Sequence, residues 1–152
     1  MNTLGIISDT HGLLREEAIK LLYGVDHIIH AGDIGEPNIL QRLAAVAPVS
    51  AIRGNIDVQP WASSLPDTIQ TTLFGQKIYV IHDRNELAIA PAEMGIDLVI
   101  SGHSHRASIE RLNDVLYVNP GSAGPRRFTL PITLATIEIA GGQLSPNIRE
   151  LL

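Results

Sequence analysis

Short, nearly continuous aliphatic blocks at residues 4–8 and 26–31 have the length and density of buried strands. Between them Leu14, Ala18, Leu21 and Leu22 recur at helical spacing until Gly24 stops the run, so the order is strand, loop, helix. The second strand leads through Gly32-Asp33-Ile34-Gly35 to Pro37, which suits a first helical position. Ile39, Leu40, Leu43 and Val46 give the next helix its apolar stripe, and Pro48 ends it near Ala47 by disfavouring helix in the residue before it. Residues 49–53 read as a third strand. The β-α-β-α-β order over residues 2–53 predicts a parallel sheet joined by right-handed crossovers.

Beyond Trp61 the pattern turns β-rich. Runs at 68–74 and 77–82 meet at Gly75-Gln76, a two-residue hairpin signal. Residues 91–94, closed by Gly95, read as a short helix, and 96–101 as another buried strand. Further strands are expected at 107–112, 115–118 and 132–139, the last pairing with 144–151 across Gly141-Gly142. The second half is therefore expected to be mostly antiparallel. The whole chain, 1–152, reads as one α/β domain of two packed sheets flanked by helices.

Composition narrows the class. With 152 residues, 45% of them hydrophobic, the chain is long enough to bury a core without disulfides. It has no cysteine, which fits a reducing compartment and removes thiolate from any ligand set. A formal charge of -5 and the lack of any Lys/Arg run give no footprint for duplex nucleic acid. No apolar run reaches membrane-spanning length, and the first residues lack the features of a signal peptide, so a cytoplasmic location without membrane contact is expected.

The chemistry lies at the strand ends. Asp9-Thr-His11, Gly-Asp33, Gly-Asn55, His82 and Gly-His103-Ser-His105 each fall at or just after a predicted strand, the edge of an α/β sheet where ligands bind. If these segments are extended, residues two apart point the same way, so each Asp/His or His/His pair presents two ligands to one cleft. Asp33 suits a carboxylate shared between two cations. The mixed oxygen and nitrogen donors favour Mn²⁺ foremost, with Fe²⁺, Zn²⁺ or Ni²⁺ as alternatives, over Ca²⁺ or Mg²⁺. Taken singly, these motifs also read as a helix cap, common turns and a core histidine. Their conjunction, which uses four of the six histidines, points to two divalent metals and phosphoester hydrolysis.

Order and spacing resemble the calcineurin-like metallophosphoesterases, whose motifs run Asp-x-His, Gly-Asp, Gly-Asn, His, Gly-His-x-His. The likeness extends from Gly5-Ile-Ile-Ser-Asp-Thr-His11 to Asn119-Pro-Gly-Ser122. More narrowly, the chain looks like the small bacterial and archaeal phosphodiesterase branch, which shares its fold with the eukaryotic retromer subunit. That resemblance implies a four-layer α/β/β/α sandwich. It also implies that Asp9, His11, Asp33 and His105 hold one metal, and that Asp33, Asn55, His82 and His103 hold the other.

Two departures from the family pattern stand out. Where many members have Gly-Asn-His-Asp or Gly-Asn-His-Glu, this chain has Gly54-Asn-Ile-Asp57, and Ile56 cannot protonate a leaving group. Asp57 is then expected to support the structure. Where the branch often has His-Gly-His, this chain has His82-Asp83-Arg84.

The expected activity is hydrolysis of small phosphodiesters by a hydroxide bridging two metals, with Asp33, Asn55 and His103 acting through those metals. Arg126 and Arg127, the only adjacent arginine pair, read either as a clamp for a phosphate or as solvated charges on an exposed loop. His30 is expected to support the ligands and His27 to lie on the surface. A metal-binding interaction scaffold of the same fold is the alternative reading, and a nuclease a weaker third. The sequence leaves assembly with further copies of the chain open.

Overall fold

The computed structural model describes residues 1–152. Strands β1 (Asn2–Ile7), β2 (His27–His30) and β3 (Val49–Ala51) pair in parallel through helices α1 (Glu16–Leu22) and α2 (Pro37–Ala44), as the alternating pattern predicts. Pro37 opens α2, and Glu16 and Glu17 sit in the first turn of α1, where acidic side chains oppose the helix dipole favourably.

β4 (Thr68–Leu73), β5 (Gln76–Ile81), β6 (Leu98–Ile100), β7 (Ser108–Leu112) and β8 (Val115–Asn119) make a second sheet in the order β4-β5-β6-β8-β7. Its two outer pairings are antiparallel hairpins, but β5, β6 and β8 run parallel at its centre. Most of the pairing in the second half is antiparallel, as expected, while this parallel centre, which the sequence did not suggest, carries the C-terminal ends of those three strands to one edge. The first hairpin turns at Phe74-Gly75, one residue earlier than predicted. Both residues have positive φ, +52° and +79°, the left-handed geometry that matches the twist of the flanking strands.

The last two strands, β9 (Thr133–Ala140) and β10 (Gln143–Glu150), pair antiparallel as expected, yet they join the first sheet beside β1, giving the order β10-β9-β1-β2-β3. β9 is buried over most of its length because it lies inside that sheet.

Three apolar clusters follow from these layers. Leu4, Ile6 and Ile29 of the first sheet meet Ile78, Leu98 and Leu116 of the second across the interior. Ala18, Leu22, Ile39 and Leu43 lay both helices over the outer face of the first sheet, against Ile7 and Ile28. The outer face of the second sheet carries a thinner cover, in which Ile96 and Leu87 pack with Ile81, Val99 and Val115. Residues 91–95 there form hydrogen-bonded turns rather than the predicted helix, with Ile96 N–H bonding to the Pro91 carbonyl at 3.0 Å. The α/β/β/α order holds, with turns in place of a regular helix on that side. No helix is long and apolar enough to cross a membrane.

Leu98 is fully buried between the sheets, so Leu98→Ala should lower the free energy of unfolding by about 2–5 kcal/mol in urea titrations. Ile109→Ala on the exposed strand β7 should cost less than about 1 kcal/mol; equal costs would contradict the packing described.

Candidate metal centre

The parallel strands β1, β2 and β3 of one sheet and β5, β6 and β8 of the other all end at the same edge, where the loops carrying the predicted ligands meet. The backbone there is not extended. Asp9, His11, Asp33, His103 and His105 have φ of +56°, +46°, +56°, +73° and +63°. The reasoning from strand alternation therefore does not hold. Tight left-handed loops turn these side chains inward, each at a cost of about 1–2 kcal/mol for a residue with a Cβ.

Two groups of close donors result: Asp9, His11 and His105, and Asp9, Asp33 and His82. Asp9 Oδ1 lies 3.8 Å from His11 Nε2, 3.9 Å from His82 Nε2 and 3.6 Å from His105 Nε2. Asp33 Oδ2 spans the two groups, 3.4 Å from His11 Nε2 and 3.3 Å from His82 Nε2. His82 Nδ1 is 2.7 Å from the Ala31 carbonyl oxygen, which can only accept, so Nδ1 carries a proton and Nε2 is the atom turned toward the carboxylates. Asp9 Oδ1, His11 Nε2 and His82 Nε2 are buried without any hydrogen-bond partner. Buried polar atoms are seldom left so, and donors of this kind aimed at one another fit a bound cation.

Electrostatics point the same way. Burial works against charge on Asp33, but the nearby His82 ring and the hydrogen bond from the Ile56 amide outweigh it and hold the carboxyl down to about 2. Burial likewise opposes a cation on His82, yet Asp33, the Ala31 carbonyl and Asp9 lift it to about 9. His11 is raised, chiefly by Asp9. His105 is lowered by burial, with the nearby charge of Arg127 acting in the same direction. The two carboxylates demand positive charge, and a proton on His82 is what the chain can supply from within.

The other predicted residues sit around this cluster. His103 is outside both groups. Its side chain is 41% exposed, its ring stands edge-on to His82, and its Nε2 lies 3.7 Å from Asp83 Oδ2. Asn55 is exposed and shares a cavity of about 360 Å³ with His82 and Asp83. Arg126 and Arg127 line another, of about 240 Å³, with His11, His105 and Pro125. Arg84 turns aside, bonded to Glu110 at 3.1 Å and stacked on the Tyr117 ring. His27 bonds to Ser50 at the start of β2 and is only partly buried.

A polar frame holds the loops, and sequence reasoning saw little of it. Asp57, 2% exposed, accepts hydrogen bonds from the amides of Ile34, Gly35 and Gly54 at 2.9–3.0 Å, tying the Asp33 loop to the Asn55 loop. At position 56 the backbone contributes: the Ile56 amide donates to Asp33 Oδ1. His30, held neutral with its pKa pushed down to about 4 by burial, accepts from Gly32 N–H and donates to Thr10 Oγ1, which donates to the Ile34 carbonyl. Ser8 Oγ and the His103 amide both donate to Asp9 Oδ2, so that only Oδ1 is left open.

The Asn119–Ser122 turn belongs to the same frame. Asn119 Nδ2 donates to the Gly102 carbonyl, and Ser122 Oγ to that of Asp9. A side chain at Gly54 would collide with Asp33, and one at Gly102 with Ser8 and Asp9, so the loops are in backbone-to-side-chain contact. Ser8, Thr10 and Asp83 left no signal of their own in the sequence beyond being polar residues beside the motifs.

Removing the Asp57 carboxylate strands three amide donors. Asp57→Ala should cost about 3–5 kcal/mol in urea unfolding, whereas Glu86→Ala on the exposed surface should stay within about 0.5 kcal/mol. A loss below about 1 kcal/mol at Asp57 would contradict the tie between the loops.

Comparison with known proteins agrees with this geometry. Residues 2–142 match the model of the calcineurin-like phosphoesterase superfamily domain. A protein of Methanothermobacter thermautotrophicus named probable metallophosphoesterase is 32% identical over 157 aligned positions, covering 95% of this chain and 90% of that one. Among solved structures, an archaeal phosphodiesterase superposes with a TM-score of 0.81 at 24% identity, over 97% of this chain and 99% of that one. Vps29 of Entamoeba histolytica, solved in complex with zinc, superposes with a TM-score of 0.74 at 20% identity over 99% of each chain; both likenesses are of fold. The strand-end motifs, the donor cluster they build and these matches lead to one assignment: the chain belongs to the calcineurin-like phosphoesterase superfamily.

Proposed function

We propose that this phosphoesterase is a phosphodiesterase, hydrolysing small phosphodiesters at a centre of two divalent cations. The observation that carries the reading is the set of buried, unpartnered donor atoms on Asp9, His11 and His82 at the shared strand edge. In this reading Asp9, His11, Asp33 and His105 hold one cation, and Asp33, Asn55, His82 and His103 hold the other. Mn²⁺ is the leading candidate, and the mixed oxygen and imidazole donors admit Fe²⁺, Zn²⁺ and Ni²⁺ equally. Such a pair supplies an activated water for in-line attack and neutralises charge on the phosphoryl oxygens.

The chain's own residues do the rest. Asp33, kept ionised and fixed by the Ile56 amide, reaches His11 and His82 alike, as a shared ligand must. The Ala31 carbonyl sets the tautomer of His82. His103 and Asn55 are the most exposed members of the set, so solvent and a substrate can reach them. Ile56 supplies no proton, so diesters with stable leaving anions are favoured over simple alkyl esters.

The test is turnover of bis(p-nitrophenyl) phosphate. Chelator-stripped protein should be inactive, added Mn²⁺ should restore activity, and His82→Ala should lower kcat/KM at least about 100-fold while the circular dichroism spectrum stays native. Undiminished activity after metal removal would overturn the proposal. Full metal occupancy with no turnover of any diester would favour the interaction-scaffold reading instead.

A further inference from the structure

The loop at residues 124–130 is built onto the metal-site backbone. Ala123 N–H bonds to the Ser8 carbonyl and Ser122 Oγ to that of Asp9. Gly124 lies so close to the Asp9 and Thr10 carbonyls that no side chain fits there, and Arg15 Nη2 reaches over to its carbonyl oxygen. From this anchored base Pro125, Arg126 and Arg127 project as one wall of a cavity whose other wall is His11 and His105. Arg126 is steadied by the Leu130 carbonyl at 3.1 Å; both arginines are exposed, and they lack carboxylate partners, as do Arg15, Arg106, Arg111 and Arg149. What sets these two apart is their place, adjacent in sequence and lining one cavity with His11 and His105.

Charge decides what they meet. Asp57 directs its charge at three backbone amides, and Asp83 faces the His103 side. Among the groups near His11 and His105, two divalent cations against their carboxylate ligands Asp9 and Asp33 would leave two positive charges, enough for the nucleophile and the single charge of a diester. The scissile phosphate is then balanced without the arginines. Their additional charge of two matches a phosphomonoester, a dianion at neutral pH whose oxygens accept the planar guanidinium fork. We infer that Arg126 and Arg127 form a subsite, on the His11 and His105 side of the metal centre, for a second phosphate carried by the substrate. The preferred substrates are thus diesters bearing a terminal phosphomonoester rather than simple monoanionic diesters. This rests on the phosphodiesterase reading above and specifies the substrate class of that site.

Two chromogenic diesters separate the cases: thymidine 5′-(p-nitrophenyl phosphate) with a free 3′-hydroxyl, and the same compound with a 3′-phosphate. With Mn²⁺-loaded protein, kcat/KM should be at least about 10-fold higher for the 3′-phosphate compound. The Arg126→Gln/Arg127→Gln double variant should bring the ratio to about 1, whereas Arg149→Gln, on exposed β10, should preserve it. A ratio near 1 in the unaltered protein, or one unchanged in the double variant, overturns the subsite while leaving the phosphodiesterase reading intact.

If neither compound turns over, the hydrolytic reading is still decided by bis(p-nitrophenyl) phosphate, and calorimetry decides the subsite. Thymidine 3′,5′-bisphosphate should bind the Mn²⁺-loaded protein at least about 10-fold tighter than thymidine 5′-monophosphate, and the double variant should erase that difference. Equal affinities in the unaltered protein overturn it.

Discussion

Two carboxylates buried within reach of the same imidazoles cannot both stay ionised in a protein interior unless positive charge is supplied. Asp9 is fully buried and Asp33 nearly so, and both open their free oxygens to the same space. Much of this strand edge answers that demand. Imidazoles ring the pair, the Ser8, His103 and Ile56 donors fix the oxygens that point away, and Asp9, His11, Asp33, His103 and His105 accept left-handed backbone in the loops around it. Strain of this kind persists only where the surroundings enforce it. Here the enforcement comes from Asp57, His30 and Asn119, which bind the loops to one another from beneath.

The sheets exist to bring those loops together. Two parallel triplets, β1-β2-β3 and β5-β6-β8, pack face to face through a shared aliphatic core and end at one edge. That arrangement gathers residues from Asp9 to His105 within a few ångströms, while the hairpin strands β4 and β7 form the two outer edges of the second sheet.

The strands and both helices were legible in the sequence because aliphatic blocks such as residues 4–8 and the stripe from Ile39 to Val46 report burial directly. The clustering of Asp9, His11, Asp33, His82 and His105 was legible as well, since Asp-x-His, Gly-Asp and Gly-His-x-His at strand ends have few other uses in combination, whereas His103 and Asn55 lie outside the close-donor groups. What stayed hidden depends on contacts between distant segments. Nothing local says that β9 leaves the strands preceding it to pair with β1, or that Asp57 reaches back to Ile34. The left-handed loops were read as extended because Asp9 and His11 follow a strand, and sequence alternation carries no information on where a strand stops. At residues 91–94 a proline and a following glycine imitate a helix, but the segment closes in turns after a single cycle.

The central claim is that the unpartnered donors around Asp9 and Asp33 are metal ligands. Anomalous scattering from crystals grown with Mn²⁺ tests it most directly. The account predicts two strong peaks, one among Asp9, His11 and His105 and one beside His82, with Asp33 touching both. Crystals that show no manganese at this edge, or manganese only on surface carboxylates elsewhere, would contradict it.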